Sequence, residues 1–184
     1  FAFEDFGSMP TLKMVLLETL RLYPAPPILI RRSEDGGGEV PVGPTCEGVS
    51  GDTVSFLAGQ DIFISTWSLH RSKKLWGEDA DKFNPSRWEK QIEGQGKWAG
   101  YNPAKAGLYP NEVASDYAFM PFGGGARKCI GDYFALLEAE VTLVNLFQRF
   151  SFAFNEAASE EGPGMRTGAT IHTKNGLMVD VTRR

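Results

Sequence analysis

The chain has 184 residues, 42% of them hydrophobic and 23% charged, with a formal net charge of -4. That length suits one ordinary domain with a buried core, and the composition excludes a disordered chain. The acidic balance gives no basic footprint for nucleic acid, and two cysteines are too few for a disulfide scaffold or a four-thiolate zinc site.

The first residue is Phe1 rather than Met, so the expectation is a portion of a longer chain. A first helix is expected over residues 8–23. Ser8 is the candidate N-cap, Pro10 suits the first turn, and Leu12, Leu16 and Leu20 recur at four-residue spacing. Pro24, Pro26 and Pro27 cannot continue it. Ile28, Leu29 and Ile30 read as a short extended segment, and residues 33–52 as a Gly-, Glu- and Pro-rich surface loop with one strand around Val40. Residues 54–65 are expected to form a β hairpin about Ala58-Gly59-Gln60. A short helix or turn follows through Trp67, Leu69 and His70. Residues 72–88 then read as an irregular meander anchored by Trp76, Phe83, Pro85 and Trp88, and residues 91–115 as a second exposed loop. A glycine-rich loop at 122–131 leads into a long apolar helix over 131–150. Residues 152–182 read as a C-terminal β region turning at Lys174-Asn175-Gly176. The class is mixed α+β, with no internal repeat and no apolar run of about 18 residues that would cross a membrane. Loops this large argue against a self-contained fold and again for a portion of a larger one.

The chemistry concentrates in Phe122-Gly123-Gly124-Gly125-Ala126-Arg127-Lys128-Cys129-Ile130-Gly131. A cysteine entering a helix meets the positive end of its dipole and free N–H groups, which favour the thiolate. Glycines let the backbone turn tightly and approach a flat ligand, and Arg127 offers a fork to a carboxylate. A thiolate, a glycine loop and a carboxylate-binding Arg together answer the needs of a haem ligand site. A buried structural cysteine is the bland alternative. A phosphate-cradling loop fails because no Gly-Lys-Ser/Thr follows.

The pattern Phe-x-x-Gly-x-Arg-x-Cys-x-Gly, met by Phe122, Gly125, Arg127, Cys129 and Gly131, resembles the haem-binding signature of the cytochrome P450 family. Family members often carry Pro where this chain has Ala126. Glu18-Thr19-Leu20-Arg21 matches the family's Glu-x-x-Arg, and Phe83-Asn84-Pro85-Ser86-Arg87-Trp88 matches its Phe-x-Pro-x-Arg-aromatic stretch, in the family's order. The resemblance implies the C-terminal, haem-ligating part of a mainly α fold, incomplete because the distal helices are absent. It implies haem b with Cys129 as axial iron ligand, Arg127 and Arg31 on the propionates, and Phe122 beside the Cys–iron bond. Glu18, Arg21 and Arg87 would form a buried charge cluster locking the meander and thiolate loop onto the first helix. Ile28 and Leu29, in the segment after that helix, and Thr170 and Ile171, at a hairpin tip, would face substrate. His70 lies near a propionate-facing region of the family, though a lone His is more often a structural hydrogen-bonder.

The family reaction is monooxygenation of an apolar substrate with O2, and electrons would come from ferredoxin or a flavoprotein reductase. Arg71, Lys73, Lys74 and Lys128 are candidates for an acidic partner's docking face. Leu22-Tyr23-Pro24-x-Pro26-Pro27, Ile30-Arg31-Arg32-Ser33 and Thr167-Gly168-Ala169-Thr170-Ile171-His172-Thr173 are similar to the plastid carotenoid-hydroxylase branch of algae and plants. This implies carotene ring hydroxylation in a plastid. The alternatives are a fatty-acid or lipid hydroxylase at the endoplasmic reticulum, with membrane association through an absent N-terminal region, or a non-catalytic haem-binding fragment. A zinc module built on Cys46, Cys129, His70 and His172 lacks ligand spacing. By itself the chain is expected to be inactive.

Overall fold

The computed structural model describes residues 9–41, 53–89, 118–155 and 162–184, in two compact units: Phe1–Pro27 with Thr66–Arg184, and Ile28–Ser65. Ser8 and Cys46 lie outside the described residues. Helix α1 spans Pro10–Leu22; Pro10 takes the first turn, where its missing N–H costs nothing, and Met9 precedes it without a capping side chain. The helix closes as the Tyr23 amide donates to Thr19 O at 2.7 Å, before Pro24.

Its deeply buried row is not the one that leucine spacing predicts. Leu12, Leu16 and Leu20 are only half-buried, whereas Leu17, Glu18, Arg21 and Leu22 are buried. Around Leu17 the core gathers Trp76, Ala80, Trp88, Ala118 and Phe119. Trp76 ends the short helix α3 (Lys73–Trp76), which follows α2 (Thr66–Leu69). Trp88 ends a 3-10 turn, Pro85–Trp88. The Trp88 and Phe119 rings meet edge-on at 4.7 Å, and Trp76 lies 5.9 Å from Trp88 and 6.1 Å from Phe119. Phe83, expected as an anchor, is instead exposed: the turn is held by the buried Trp88 and by the hydrogen bonds of Asn84 and Trp88 to Glu18.

Helix α4 spans Asp132–Arg149 and buries Leu136, Glu140 and Val144, one residue per turn. It packs against α1. Strand β5 (Phe150–Phe154) follows and pairs antiparallel with the final strand β8 (Val179–Arg183). Between them β6 (Met165–Thr167) and β7 (Ile171–Thr173) form a hairpin whose tip is residues 168–170. The expected turn at Lys174-Asn175-Gly176 therefore joins no hairpin. The Lys174 and Asn175 amides donate back to Gly164 O and Pro163 O, because β7 takes its partner from the preceding strand.

In the second unit β1 (Ile28–Arg32) pairs antiparallel with β4 (Asp61–Ser65), and β2 (Gly38–Pro41) with β3 (Thr53–Phe56). The expected hairpin over 54–65 is not formed, since β3 and β4 belong to one arm of a longer ribbon. Ala58-Gly59-Gln60 marks a kink in that arm. Residues 33–37 face 57–60 there, and the Ser33 amide donates to Gln60 O while the Gly59 amide donates to Ser33 O. The extra residue on one side is what a bulge requires. Gly37 makes the kink possible: its φ is 64°, and a Cβ there would sit 2.6 Å from the Phe56 carbonyl oxygen. Gly59 has φ 70° but open space around it.

Gly59→Ala is expected to cost about 1–2 kcal/mol from backbone strain alone. Gly37→Ala must also displace a backbone carbonyl, so it costs more. Amide hydrogen exchange at Ser33 and Gly59 measures ribbon opening in both variants; equal losses would contradict the close approach at Phe56.

Candidate functional site

One carboxylate organises the larger unit. Glu18 and Arg21 are a helical turn apart on the buried face of α1, and their paired geometry is bidentate. Arg21 Nε donates to Glu18 Oε2 and Nη2 to Oε1, both at 2.9 Å. Arg87 Nε reaches Oε1 at 3.0 Å, the Asn84 amide Oε1 at 2.8 Å, and the Trp88 indole Oε2 at 3.0 Å. The remaining Arg21 protons go to carbonyls: Nη1 to His70 O and Ala80 O, both at 2.6 Å, and Nη2 to Lys82 O at 3.1 Å. Every one of its five N–H donors is thus used. Arg87 turns its other side to Asp79, at 3.0 Å from Oδ2, and to the Trp76 and Asp79 carbonyls. Buried ion pairs hold only when hydrogen-bonded: both Glu18 oxygens and all Arg21 donors are, while Asp79 Oδ1 at the edge of the cluster has no partner among the described residues. Burial alone would raise the Glu18 carboxyl, but Arg21, the Asn84 amide and Arg87 together hold it below the usual carboxylate range.

His70 passes this framework to the glycine loop. It is fully buried; its Nε2 accepts from the Met120 amide at 2.8 Å, and its Nδ1 lies 3.1 Å from Arg21 O. Those partners demand a neutral imidazole with the proton on Nδ1. Burial is the main cause that lowers its pKa from the ordinary 6.5 to about 3. With both ring nitrogens occupied it cannot bind a propionate. Phe119 sits beside it, ring centroids 5.3 Å apart, so residues 118–121 are anchored on both sides.

From Pro121 the chain turns: the Gly123 amide donates to Met120 O with Gly123 at φ 78°. The loop closes where the Cys129 amide donates to Phe122 O at 3.0 Å. Cys129 is exposed and free, three residues before α4, and Gly131 stands at the helix N-cap. Gly125, at φ 68°, has nothing within 4 Å of where a Cβ would stand, and a Cβ on Gly131 would lie 3.9 Å from the Cys129 sulfur. Phe122 is half-buried beneath the loop, whereas Arg127 is exposed and makes no ion pair among the described residues. Lys128 pairs with Asp132 at 2.8 Å.

The structure thus brings Glu18, Arg21 and Arg87 into one cluster and connects it, through His70 and Phe119, to the loop carrying Phe122, Gly125, Arg127, Cys129 and Gly131. Arg31 lies on β1 of the ribbon unit, where its Nη1 donates to Ile30 O; Ile28 and Leu29 share that strand. Thr170 is in the β6–β7 tip, and Ile171 opens β7. Of the cations considered for partner docking, Lys73 is paired with Glu78 and Arg71 lies against Asp81, so neither belongs to an open basic patch. Asp79, which sequence reasoning passed over, neutralises the second arginine. The Asn84 contribution is a backbone amide, which no side-chain pattern announces.

Acid should weaken this assembly in two stages. The folded state keeps His70 neutral, whereas the unfolded chain protonates it near pH 6.5, so stability falls as pH drops from 6.5 toward 3, by about 1.4 kcal/mol per pH unit. Glu18 is depressed, so its contribution is present above about pH 4.5 and lost as pH falls through its lower folded value. Urea unfolding at stepped pH checks this; a flat profile between pH 6.5 and 4.5 would contradict the neutral His70. Glu18→Gln should cost about 3–5 kcal/mol, because two buried guanidinium groups lose their counter-charge.

A family model described as Cytochrome P450 matches residues 1–179. Among similar curated proteins, "Cytochrome P450 97B2, chloroplastic" of Glycine max is 43% identical over 189 residues, covering 99% of this chain and 31% of that protein. "Protein LUTEIN DEFICIENT 5, chloroplastic" of Arabidopsis thaliana is 42% identical, covering 98% of this chain and 25% of its own length. "Carotene epsilon-monooxygenase, chloroplastic" of Arabidopsis thaliana is 39% identical, covering 100% of this chain and 28% of its own. The chain therefore spans about a quarter to a third of the length of these relatives. With its glycine loop, exposed cysteine and buried Glu–Arg–Arg cluster, the chain belongs to the cytochrome P450 family.

Proposed function

We propose that this chain is the C-terminal, haem-ligating portion of a monooxygenase that hydroxylates a carotenoid ring, with Cys129 as the axial ligand. Family membership brings haem b held by a cysteine thiolate, and the residues present fit that group. Cys129 offers an exposed sulfur without a hydrogen-bond partner among the described residues, in a loop closed by its own amide. A Cβ on Gly131 would sit against its sulfur, and Ile130, the next residue, and Phe134, in the first turn of α4, are exposed and apolar. A soft anionic donor with open, apolar surroundings suits a flat macrocycle.

Cys129 would hold the iron through its sulfur. By the family resemblance Arg127 and Arg31 would each bind a propionate, and Phe122 would pack beside the sulfur and tune its donor strength. Gly125 and Gly131 would let the backbone approach a flat group closely. Glu18, Arg21 and Arg87 act as structural support for the loop. Ile28, Leu29, Thr170 and Ile171 face an apolar substrate. When bound, haem supplies the activation of O2 with two electrons; the protein supplies ligation, burial and positioning. Electrons come from a separate protein, ferredoxin or a flavoprotein reductase. The relatives named for carotene and lutein, all chloroplastic, support both the substrate and a plastid location. Among the described residues no helix is long and apolar enough to cross a membrane.

The observation that carries this reading is the exposed Cys129 in a loop anchored to a buried charge cluster. In the full-length protein, the carbon monoxide difference spectrum after reduction should show a thiolate-type Soret band that Cys129→Ser abolishes. A spectrum insensitive to that change would end the ligand assignment. Product analysis with carotenes against fatty acids separates carotenoid from lipid hydroxylation. The 184 residues expressed alone are expected to give no turnover with either, since they correspond to about a quarter to a third of the relatives.

A further inference from the structure

The segment between α1 and β1 is chemically unusual. Pro24, Pro26 and Pro27 have no N–H, so within 24–27 only Ala25 keeps a backbone donor, and the hydrogen bonds that tie the segment down run to its carbonyls. Those carbonyls are captured one after another, by residues from two distant parts of the chain. Arg71 Nη2 donates to Leu22 O at the end of α1. The Ile171 amide donates to Ala25 O at 2.8 Å, from the hairpin tip. Thr66 Oγ1 donates to Pro26 O at 2.5 Å, and the Trp67 amide to Pro27 O at 3.1 Å.

The donors are themselves held in place. Thr66 is fully buried, so its hydroxyl has no water to turn to. Arg71 lies with its guanidinium 3.3 Å from the Trp67 ring centroid and 5.8 Å from that of Tyr23. Its Nη1 is buried with no acceptor; the aromatic faces attract the charge, and Asp81 Oδ1 lies 3.8 Å from its Nε. Nothing in the Glu18 cluster explains this second construction. Pro24 is buried, whereas Ala25 is exposed and Pro26 and Pro27 are half-buried, so the fixed backbone presents an open face.

We propose that Thr66 and Arg71 are positioning residues for substrate: through the carbonyls of Pro26 and Leu22 they fix where residues 24–27 stand, and with the Ile171 amide they lock that segment to the β6–β7 tip. This rests on the reading that the segment and the tip face substrate. An extended apolar substrate offers few polar handles, so its orientation is set by the walls it touches. A displacement of about 1 Å in such a wall is enough to redirect reaction by orders of magnitude. Fixing the proline segment to the hairpin makes two walls move as one, so the site of oxygen insertion depends on both.

The test uses the full-length, haem-loaded protein and Thr66→Val, which keeps the shape and removes the donor, with Thr66→Ser as rescue. Amide exchange at Ile171 and Trp67 reports segment fixation, and the ratio of hydroxylation positions, on whichever apolar substrate is turned over, reports positioning. Thr66→Val is expected to speed exchange at both amides at least about tenfold. It should also shift the product ratio, with haem content and the carbonyl-bound Soret position unchanged, and Thr66→Ser should restore both readouts. Should Thr66→Val fail to fold, Arg71→Lys, which loses the planar stack, carries the same test at Leu22. Unchanged exchange would overturn the proposal while leaving the substrate-facing reading standing. Faster exchange with an unchanged product ratio would instead overturn that reading, and the proposal with it.

Discussion

The carboxylate of Glu18 is the constraint from which the larger unit hangs. It accepts from two guanidinium groups, one indole and one backbone amide, all from segments remote in sequence except Arg21. A charge placed in a low-dielectric interior is costly unless such partners surround it. The same cost makes the geometry singular: each partner removed leaves another buried charge exposed to that penalty. Counting Asp79, two carboxylates face two guanidinium groups, so the set is balanced in charge. From it the order passes outward through Trp88 and His70 to Phe119 and Met120, and on to the loop of Cys129. The cysteine is exposed, but its backbone is placed by a buried scaffold.

Much of this was legible in the residues, and the illegible part has physical reasons. Two charged side chains three apart on a helix ordinarily mean a solvated surface pair, and only the accompanying Arg87 and Cys129 patterns point inward. The leucine row of α1 misled because burial follows the partners available, and here the best-partnered face is the charged one. The loop around Cys129 could be read because glycine, arginine and cysteine each have a distinct chemistry there. By contrast, Asn84 acts through its backbone and Thr66 through a lone hydroxyl, so neither leaves a pattern. The ribbon was misread for a related reason. Ala58-Gly59-Gln60 has turn chemistry, but a kink in one arm and a hairpin tip ask for the same residues. Only strand pairing distinguishes them, and that depends on residues 28–41, far from the turn.

The proline segment illustrates a different division of labour. Prolines reduce the freedom of the unfolded chain and fix φ, so the segment arrives nearly shaped. What they cannot do is donate, and the rest of the unit answers with an amide from the C-terminal hairpin, an amide and a hydroxyl around α2, and a guanidinium. Rigid local geometry and remote attachment are therefore supplied by different residues. The same separation recurs at the cysteine loop, whose glycines permit the turn while His70 anchors it.

The Glu18–Arg87 hydrogen bond joins positions 69 apart in sequence, enclosing the ribbon and its surrounding connections in one closed loop. The entropy of closing such a loop rises only logarithmically, by about 0.6 kcal/mol for each doubling of length. A loop already this long is nearly indifferent to a further ten or twenty residues. The connection at 42–52, between β2 and β3, can therefore grow or shrink with little thermodynamic effect on the clamp, provided the ribbon arms still meet. Length variation and the rigidity of the cofactor loop are thereby decoupled: the chain can vary the length of that connection and still present its cysteine on an unchanged base.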